Sequence, residues 1–286
     1  MKTVPVVALA LALAACEPAQ SPPAVPPAAP APAPPPLAAA RSTPLTLTRP
    51  PPLAKEVEAF PRISTPVSPY AARINLTLAA ADSRIRAEIA DCKTTDDGAP
   101  EPNASWERNL LTKMGGPAFL SLLDSNFAFC GGAYPNAMRS FVTFDLSTGA
   151  PIDWASYLPA DLTALVRAFD DINGLPVRQY SAPALIAWYR QAALAKIDEE
   201  MRRDCAEAYA REDLSVVFWL DAKEGGLGVQ TDAFPHAIQA CAETVILTTA
   251  ELRRRGAKPA LTDAIDAAHE AGVWAAKPAP ARSAAP

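Results

Sequence analysis

Apolar residues recur at Ile74, Leu78, Ala81, Ile85 and Ile89, in steps of four, three, four and four. That is the period of a helix face, and it predicts an amphipathic helix over 71–91, ending near Cys92. Alternation also exists between Ile74 and Leu78, as in a strand, but the longer period favours the helix. Trp106 to Met114 and Ala118 to Phe129 are apolar runs parted by Gly115-Gly116-Pro117, the mark of a hairpin. Asn136 to Leu146 then alternates. Met138, Ser140, Val142 and Phe144 share one face, and Arg139, Phe141, Thr143 and Asp145 the other. Ser147-Thr148-Gly149 turns the chain again, which completes an antiparallel meander of at least three strands.

Ile152 to Leu158 reads as a short strand or turn leading to Pro159. A helix follows from Asp161, its N-cap, to a stop at Asn173-Gly174. The run Asp170 to Gly174 lacks the spacing and the terminal Glu of a calcium loop, so it reads as a helix end. Ser181 caps the longest predicted helix, with Pro183 just inside its start, running to about Arg211. Ile186, Ala193, Ile197, Met201 and Cys205 form its buried stripe, and Lys196–Glu200 and Glu199–Arg203 are pairs on its wet face. Leu214 to Leu220 is a strand, Gly225-Gly226 a turn, and Leu227 to Thr231 the return strand. An irregular stretch over 232–240 holds His236, Thr244 to Thr249 is the last strand, and Asp263 to Ala271 a terminal helix. The expected fold is α+β, an antiparallel β meander packed with two or three helices.

The ends of the chain have a different character. Lys2, the apolar run Val4 to Leu13, and Leu13-Ala14-Ala15-Cys16 have the form of a bacterial lipoprotein signal, whose Cys thiol receives the lipid. Positions 1–16 are thus read as signal and Cys16 as the lipidation site. From Glu17 to Pro52 the chain has fourteen prolines in thirty-six residues. Such a segment has too little apolar surface to offset ordering entropy, and it reads as an extended tether. At about 3.1 Å per residue it reaches roughly 110 Å. The folded part is expected at 53–275, with a Pro/Ala-rich tail at 276–286.

Losing Lys2 with the signal takes the formal net charge from −5 to −6. A mildly acidic domain does not suit nucleic acid but does suit a basic partner. Four cysteines remain beyond Cys16: Cys92, Cys130, Cys205 and Cys241. An even count in an exported chain implies disulfides. Of the three pairings, Cys92–Cys130 and Cys205–Cys241 join neighbours in sequence and staple one half of the fold each. Each loop of about 37 residues would constrain the unfolded chain by roughly 3–4 kcal/mol. The absence of any Cys-x-x-Cys pair argues against zinc.

One motif stands out between Phe127 and Gly149: Cys130-Gly-Gly-Ala-Tyr-Pro-Asn136 followed by Thr143-Phe-Asp-Leu-Ser-Thr-Gly149. It resembles the signature of an extracytoplasmic bacterial family, domain-of-unknown-function family 3298, in which the turn usually reads Gly-Gly-Ala-His-Pro-Asn. The resemblance extends weakly over about 70–250, through Ala72 to Asn75 and the unit 214–252. The family occurs in lipoproteins, in the outer part of a lysozyme-sensing anti-sigma factor, and beside peptidoglycan deacetylase domains. The resemblance therefore implies envelope binding or sensing rather than chemistry of its own. Here Tyr134 stands where the family carries His, which puts any imidazole role at that turn in doubt.

Catalytic motifs are absent. The two histidines, His236 and His269, share no metal-binding spacing, no Gly-x-Ser-x-Gly elbow presents a nucleophile, and Gly131-Gly132 precedes a Pro turn rather than a helix. No cofactor and no metal are expected. Gly131, Gly132, Pro135 and Asn136 suit turn geometry, while an aromatic at a turn tip such as Tyr134 can stack on a sugar or anchor an interface. The candidate ligand-binding residues are Gly131, Gly132, Tyr134, Asn136 and His236. The expected function is a lipid-anchored periplasmic binding or sensing module, not an enzyme. Its ligand would be a cell-wall component or a wall-degrading protein such as lysozyme. An envelope hydrolase using His236 and a purely structural lipoprotein are the alternatives. Glu17, which is no Asp-type retention signal, leans the location towards the outer membrane.

Overall fold

The computed structural model describes residues 44–94, 101–131, 134–232, 234 and 236–274. Among them a four-stranded antiparallel sheet is built from β3 (Ser105–Gly115), β4 (Phe119–Phe129), β5 (Asn136–Asp145) and β6 (Ala150–Pro151), in that order. The predicted meander is therefore present with its expected turns. Because successive side chains alternate, the sheet has two distinct faces. One face carries Leu110, Leu122, Val142 and Phe144 and packs on helix α1 (Pro69–Cys92). Ser68 caps this helix by accepting the Ala71 N–H at 3.0 Å, and Ile74, Leu78, Ala81, Ile85 and Ile89 form its buried stripe. Strands β1 (Thr46–Thr48) and β2 (Arg62–Thr65) pair with each other. Strand β1 thus lies upstream of position 53, inside the segment read as tether.

A buried ion cluster runs through this half. The guanidinium of Arg108 is fully enclosed. It donates to both carboxylate oxygens of Asp124, at 2.8 and 3.0 Å, and to Asp82 at 2.9 Å. It also donates to Asn173 Oδ1 at 3.0 Å and lies 4.1 Å from the centre of the Phe60 ring. Asp82 in turn accepts from Arg62 at 2.6 Å and from the Phe60 N–H at 3.1 Å. Every charge in the cluster is thereby partnered, the condition under which buried ions persist.

The second layer is a three-stranded sheet of β9 (Val217–Asp221), β10 (Gly226–Gln230) and β11 (Val245–Thr248), with β10 central. It covers the upper part of the other face of the first sheet, where Met114 and Phe119 join Phe218, Leu220, Leu227 and Leu247 in one core. Trp219 stacks on Phe141 with ring centres 3.8 Å apart. Its indole fills the space opposite Gly228, where a Cβ would lie 2.1 Å from the ring. The Lys113–Asp221 ion pair, at 3.1 Å, joins the two sheets. Four further helices complete the core: α2 (Pro183–Leu194), α3 (Glu199–Ala210), α4 (Thr249–Arg254) and α5 (Pro259–Ala271). The fold is α+β, with five helices among the described residues.

Two segments differ from the expectation. The helix predicted from Asp161 is instead a hairpin, β7 (Leu165–Asp170) and β8 (Pro176–Tyr180). Asn173-Gly174 is its turn rather than a helix stop. Asp171 accepts the N–H groups of Asn173 and Leu175 at 2.9 and 2.8 Å, and Gly174 supplies a φ of +69°. Leu162, Leu165, Val166 and Phe169 do recur at helical spacing, but pairing of this segment with β8 overrides that local pattern.

The predicted helix over 181–211 is two helices. Asp198 caps the second by accepting the Met201 N–H at 2.8 Å. Arg202 donates to the carbonyls of Leu194 and Ile197 at the break, at 3.0 and 3.1 Å. Ser181 does not cap the first helix: Ala182 holds the N-cap position with no side-chain hydrogen bond, and the Ser181 hydroxyl donates to the Leu214 carbonyl at 2.7 Å. Met201 consequently lies outside the buried stripe, at 37% exposure. Arg202 pairs with Glu199, and Lys196 with Glu243, in place of the expected partners. Among the described residues the longest helix is α1.

Both expected disulfides are present. Cys92–Cys130 ties the end of α1 to the end of β4, and Cys205–Cys241 ties α3 to a short 3-10 turn, His236–Cys241.

Candidate functional site

Strand β6 pairs only with Phe144 and Asp145, so the earlier part of β5 is an open edge of the sheet. Two hollows meet there. A cleft of about 390 Å3 runs along Asn136 to Phe141, opposite Phe169 and Asp171 of the hairpin, Asp232, Phe234 and Gln239. A smaller space of about 90 Å3 continues from it between Arg139, Arg178, Asp171 and Asp232. On the lower part of the outer sheet face, which the second layer leaves uncovered, lies a broader basin of about 830 Å3. Glu107, Asn109, Ser125, Phe127 and Arg139 line it, with Gln239 at its side. Arg139 borders all three.

The far wall is held firmly. Tyr189 donates to the Glu243 carbonyl at 2.7 Å and accepts the Thr231 N–H at 3.0 Å, and Tyr209 donates to the Cys241 carbonyl. Burial pushes both phenols above the ordinary tyrosine range. With the Cys205–Cys241 bridge, these contacts fix the chain on both sides of the 3-10 turn. Such a wall is preformed, as binding hollows usually are.

Two carboxyl groups in the cleft are perturbed. Burial raises Asp171, against the N–H of Leu175, Asn173 and the Ser140 hydroxyl, which hold it down. Burial also raises Asp232, opposed by a 2.9 Å hydrogen bond from Gln179 and by the charge of Arg167. Perturbed acids in a cleft mark functional candidates, although structural networks shift them too. The sign of the resulting pH dependence is definite. Asp232 holds its proton more tightly folded than unfolded, where its pKa is about 3.9, so its ionisation with rising pH removes stability. Asp232→Asn keeps an acceptor for Gln179 and removes that charge. It is expected to melt above the wild type at pH 7, with the gain vanishing below about pH 4 in thermal unfolding. A variant less stable at both pH values would contradict this.

The residues expected from sequence take unequal places. Asn136 opens β5 opposite Ala128 and lines the cleft with Phe234 and Gln239, so the motif strand and the His236 turn do share one hollow. Gly131 has a φ of +87°, and a Cβ there would lie 2.9 Å from Glu101 Oε2, so backbone geometry alone demands glycine. Tyr134 stands 76% exposed and lines neither hollow. Gly132, Cys16 and the side chain of His236 lie outside the described residues. His269 lies on α5, its Nδ1 2.8 Å from the Ala222 carbonyl, and lines neither hollow. Among the described residues no group of three or more His, Cys, Asp or Glu is placed to hold a metal ion.

Sequence reasoning did not single out Arg139, Phe127, Asp171 or Asp232. The alternation of β5 did place Arg139 and Phe141 on one face. What it could not tell was that the second layer stops short and leaves the lower half of that face open.

No known family matches the chain, and no curated protein does. Among solved structures it is similar to the crystal structure of a DUF3298 family protein from Pseudomonas aeruginosa PAO1, at 14% identity and a TM-score of 0.34. The match covers 56% of this chain and 65% of that one. The chain thus spans somewhat less than two thirds of the length of that solved protein.

Proposed function

We propose that this protein is an exported binding or sensing module of a bacterial cell envelope, held at the membrane by lipid on Cys16. Its ligand is a cell-wall component or a wall-degrading protein such as lysozyme. The observation that carries this reading is the pair of preformed hollows meeting at β5, bordered by an arginine without an ion pair among the described residues. Two disulfides suit an oxidising compartment, and the lipoprotein-like signal and Pro/Ala tether suit a domain standing off a membrane. Among the described residues no helix is long and apolar enough to cross a membrane, so lipid would be the attachment. Asn136 and the His236–Cys241 turn, through Gln239, border the cleft, and Tyr134 stands two residues before Asn136 in the chain.

Pull-down with purified peptidoglycan and with lysozyme tests the ligand, and binding to neither would sink it. Cys16→Ser should move the protein from the membrane pellet to the soluble fraction on cell fractionation. Unchanged partitioning would refute the anchor.

A further inference from the structure

The basin floor is made by side chains from three adjacent strands in register. Glu107, Phe127 and Ala137 form one cross-strand row, and Asn109, Ser125 and Arg139 the next. Neighbours within a row have Cβ atoms about 4.5–5.5 Å apart. Rows two residues apart along a strand are separated by about 6.8 Å. The result is a flat platform with a carboxylate, an amide, a hydroxyl and a guanidinium around one aromatic ring. None of Glu107, Asn109, Ser125 or Arg139 makes a side-chain hydrogen bond or ion pair to another described residue. Phe127 is 40% exposed, unusual for a phenylalanine in the middle of a sheet face.

We propose that this platform binds a glycan chain, which rests on the envelope reading above and names its ligand class. A sugar ring offers an apolar C–H face and an edge of hydroxyl groups. Phe127 supplies the surface for the face. Planar Glu107, Asn109 and Arg139 supply paired acceptors and donors for vicinal hydroxyls, with Ser125 between them. Other ligand classes fit worse. Phe127 is the one large apolar side chain on these two rows, and with Leu111 exposed only in the next row the face is too small a seat for lipid or an amphipathic helix. Glu107, unpaired among the described residues, opposes a polyanion on the floor, and Glu56 and Glu58 at the rim are paired with Lys55 and Arg49. A neutral or weakly charged polyol, in which Arg139 can also meet an occasional carboxylate, is what remains complementary.

The test uses the full chain in detergent, with washed peptidoglycan sacculi in sedimentation and N-acetylglucosamine hexamer in calorimetry as probes. The wild type is expected to bind both saturably. Phe127→Ala and Arg139→Ala are each expected to weaken binding roughly tenfold, as central contacts of an interface do. Their melting temperatures should match the wild type, since both side chains are exposed, and Leu76→Ala on the outside of α1 should bind normally. Glycan binding insensitive to both basin variants would overturn the platform and leave the envelope module standing. Failure of the wild type to bind either glycan, with lysozyme still captured, would overturn the glycan assignment alone. Binding to none of the three would overturn both.

Discussion

Replacing Arg108 by methionine is expected to destabilise the protein by about 3–5 kcal/mol, the usual consequence of leaving buried charges unpartnered. Asp82 and Asp124 are each about 2% exposed, and Arg108 is the only cation that touches Asp124 in the described structure. Without it Asp124 retains only the Asn126 amide, at 2.8 Å. Arg62→Met is the informative contrast. Arg62 is partly exposed and Asp82 is its one carboxylate partner among the described residues; Asp82 would keep Arg108 and the Phe60 N–H. Urea unfolding of the two variants should rank them well apart. An Arg108→Met midpoint close to that of Arg62→Met would mean the cluster contributes little.

Removing the Cys205–Cys241 bridge by a double serine replacement is the next largest expected effect. A closed loop of this length, 36 residues in separation, constrains the unfolded chain by about 3–4 kcal/mol. A second consequence separates it from the other bridge. Cys241 ends the 3-10 turn that carries Gln239 to the edge of both hollows, so amide exchange over 236–243 should accelerate. Removing Cys92–Cys130 should lower stability by a similar amount yet leave exchange over 236–243 unchanged. Equal exchange in the two variants would show that Tyr189 and Tyr209 hold the wall without the disulfide.

Much of this architecture was legible in the chain because local chemistry and tertiary packing agree there. The stripe from Ile74 to Ile89, the alternation of β5 and the paired cysteines all point one way. The hairpin at Leu165–Tyr180 was not legible. Its form depends on contacts far away in sequence, chiefly Asn173 with Arg108 and Tyr180 with Val216. The break at Asp198 was hidden for another reason, since apolar spacing continues across it and only the Asp198 side chain signals a new start. The site was the least legible part. A motif search leads to turn glycines, and Gly131 is accounted for by its own backbone. The exposed sheet face depends on where a second layer ends, which no short stretch of residues encodes.

Asn173 links the deep interior to the edge of the cleft, and this limits how the chain can diverge. Its carboxamide oxygen accepts from Arg108, while its N–H and amide nitrogen donate to Asp171, which lines the cleft. Natural variation at the cleft edge is therefore not independent of variation beneath α1. A descendant that altered Asp171 or Asn173 to suit a new ligand would also disturb the guanidinium that joins the helix to the sheet. Specificity should drift more readily on the basin side, at Glu107, Asn109, Ser125 and Phe127, where no interior group depends on the side chain. Relatives of this protein, once compared, should differ most at those four positions and least at Asn173 and Arg108.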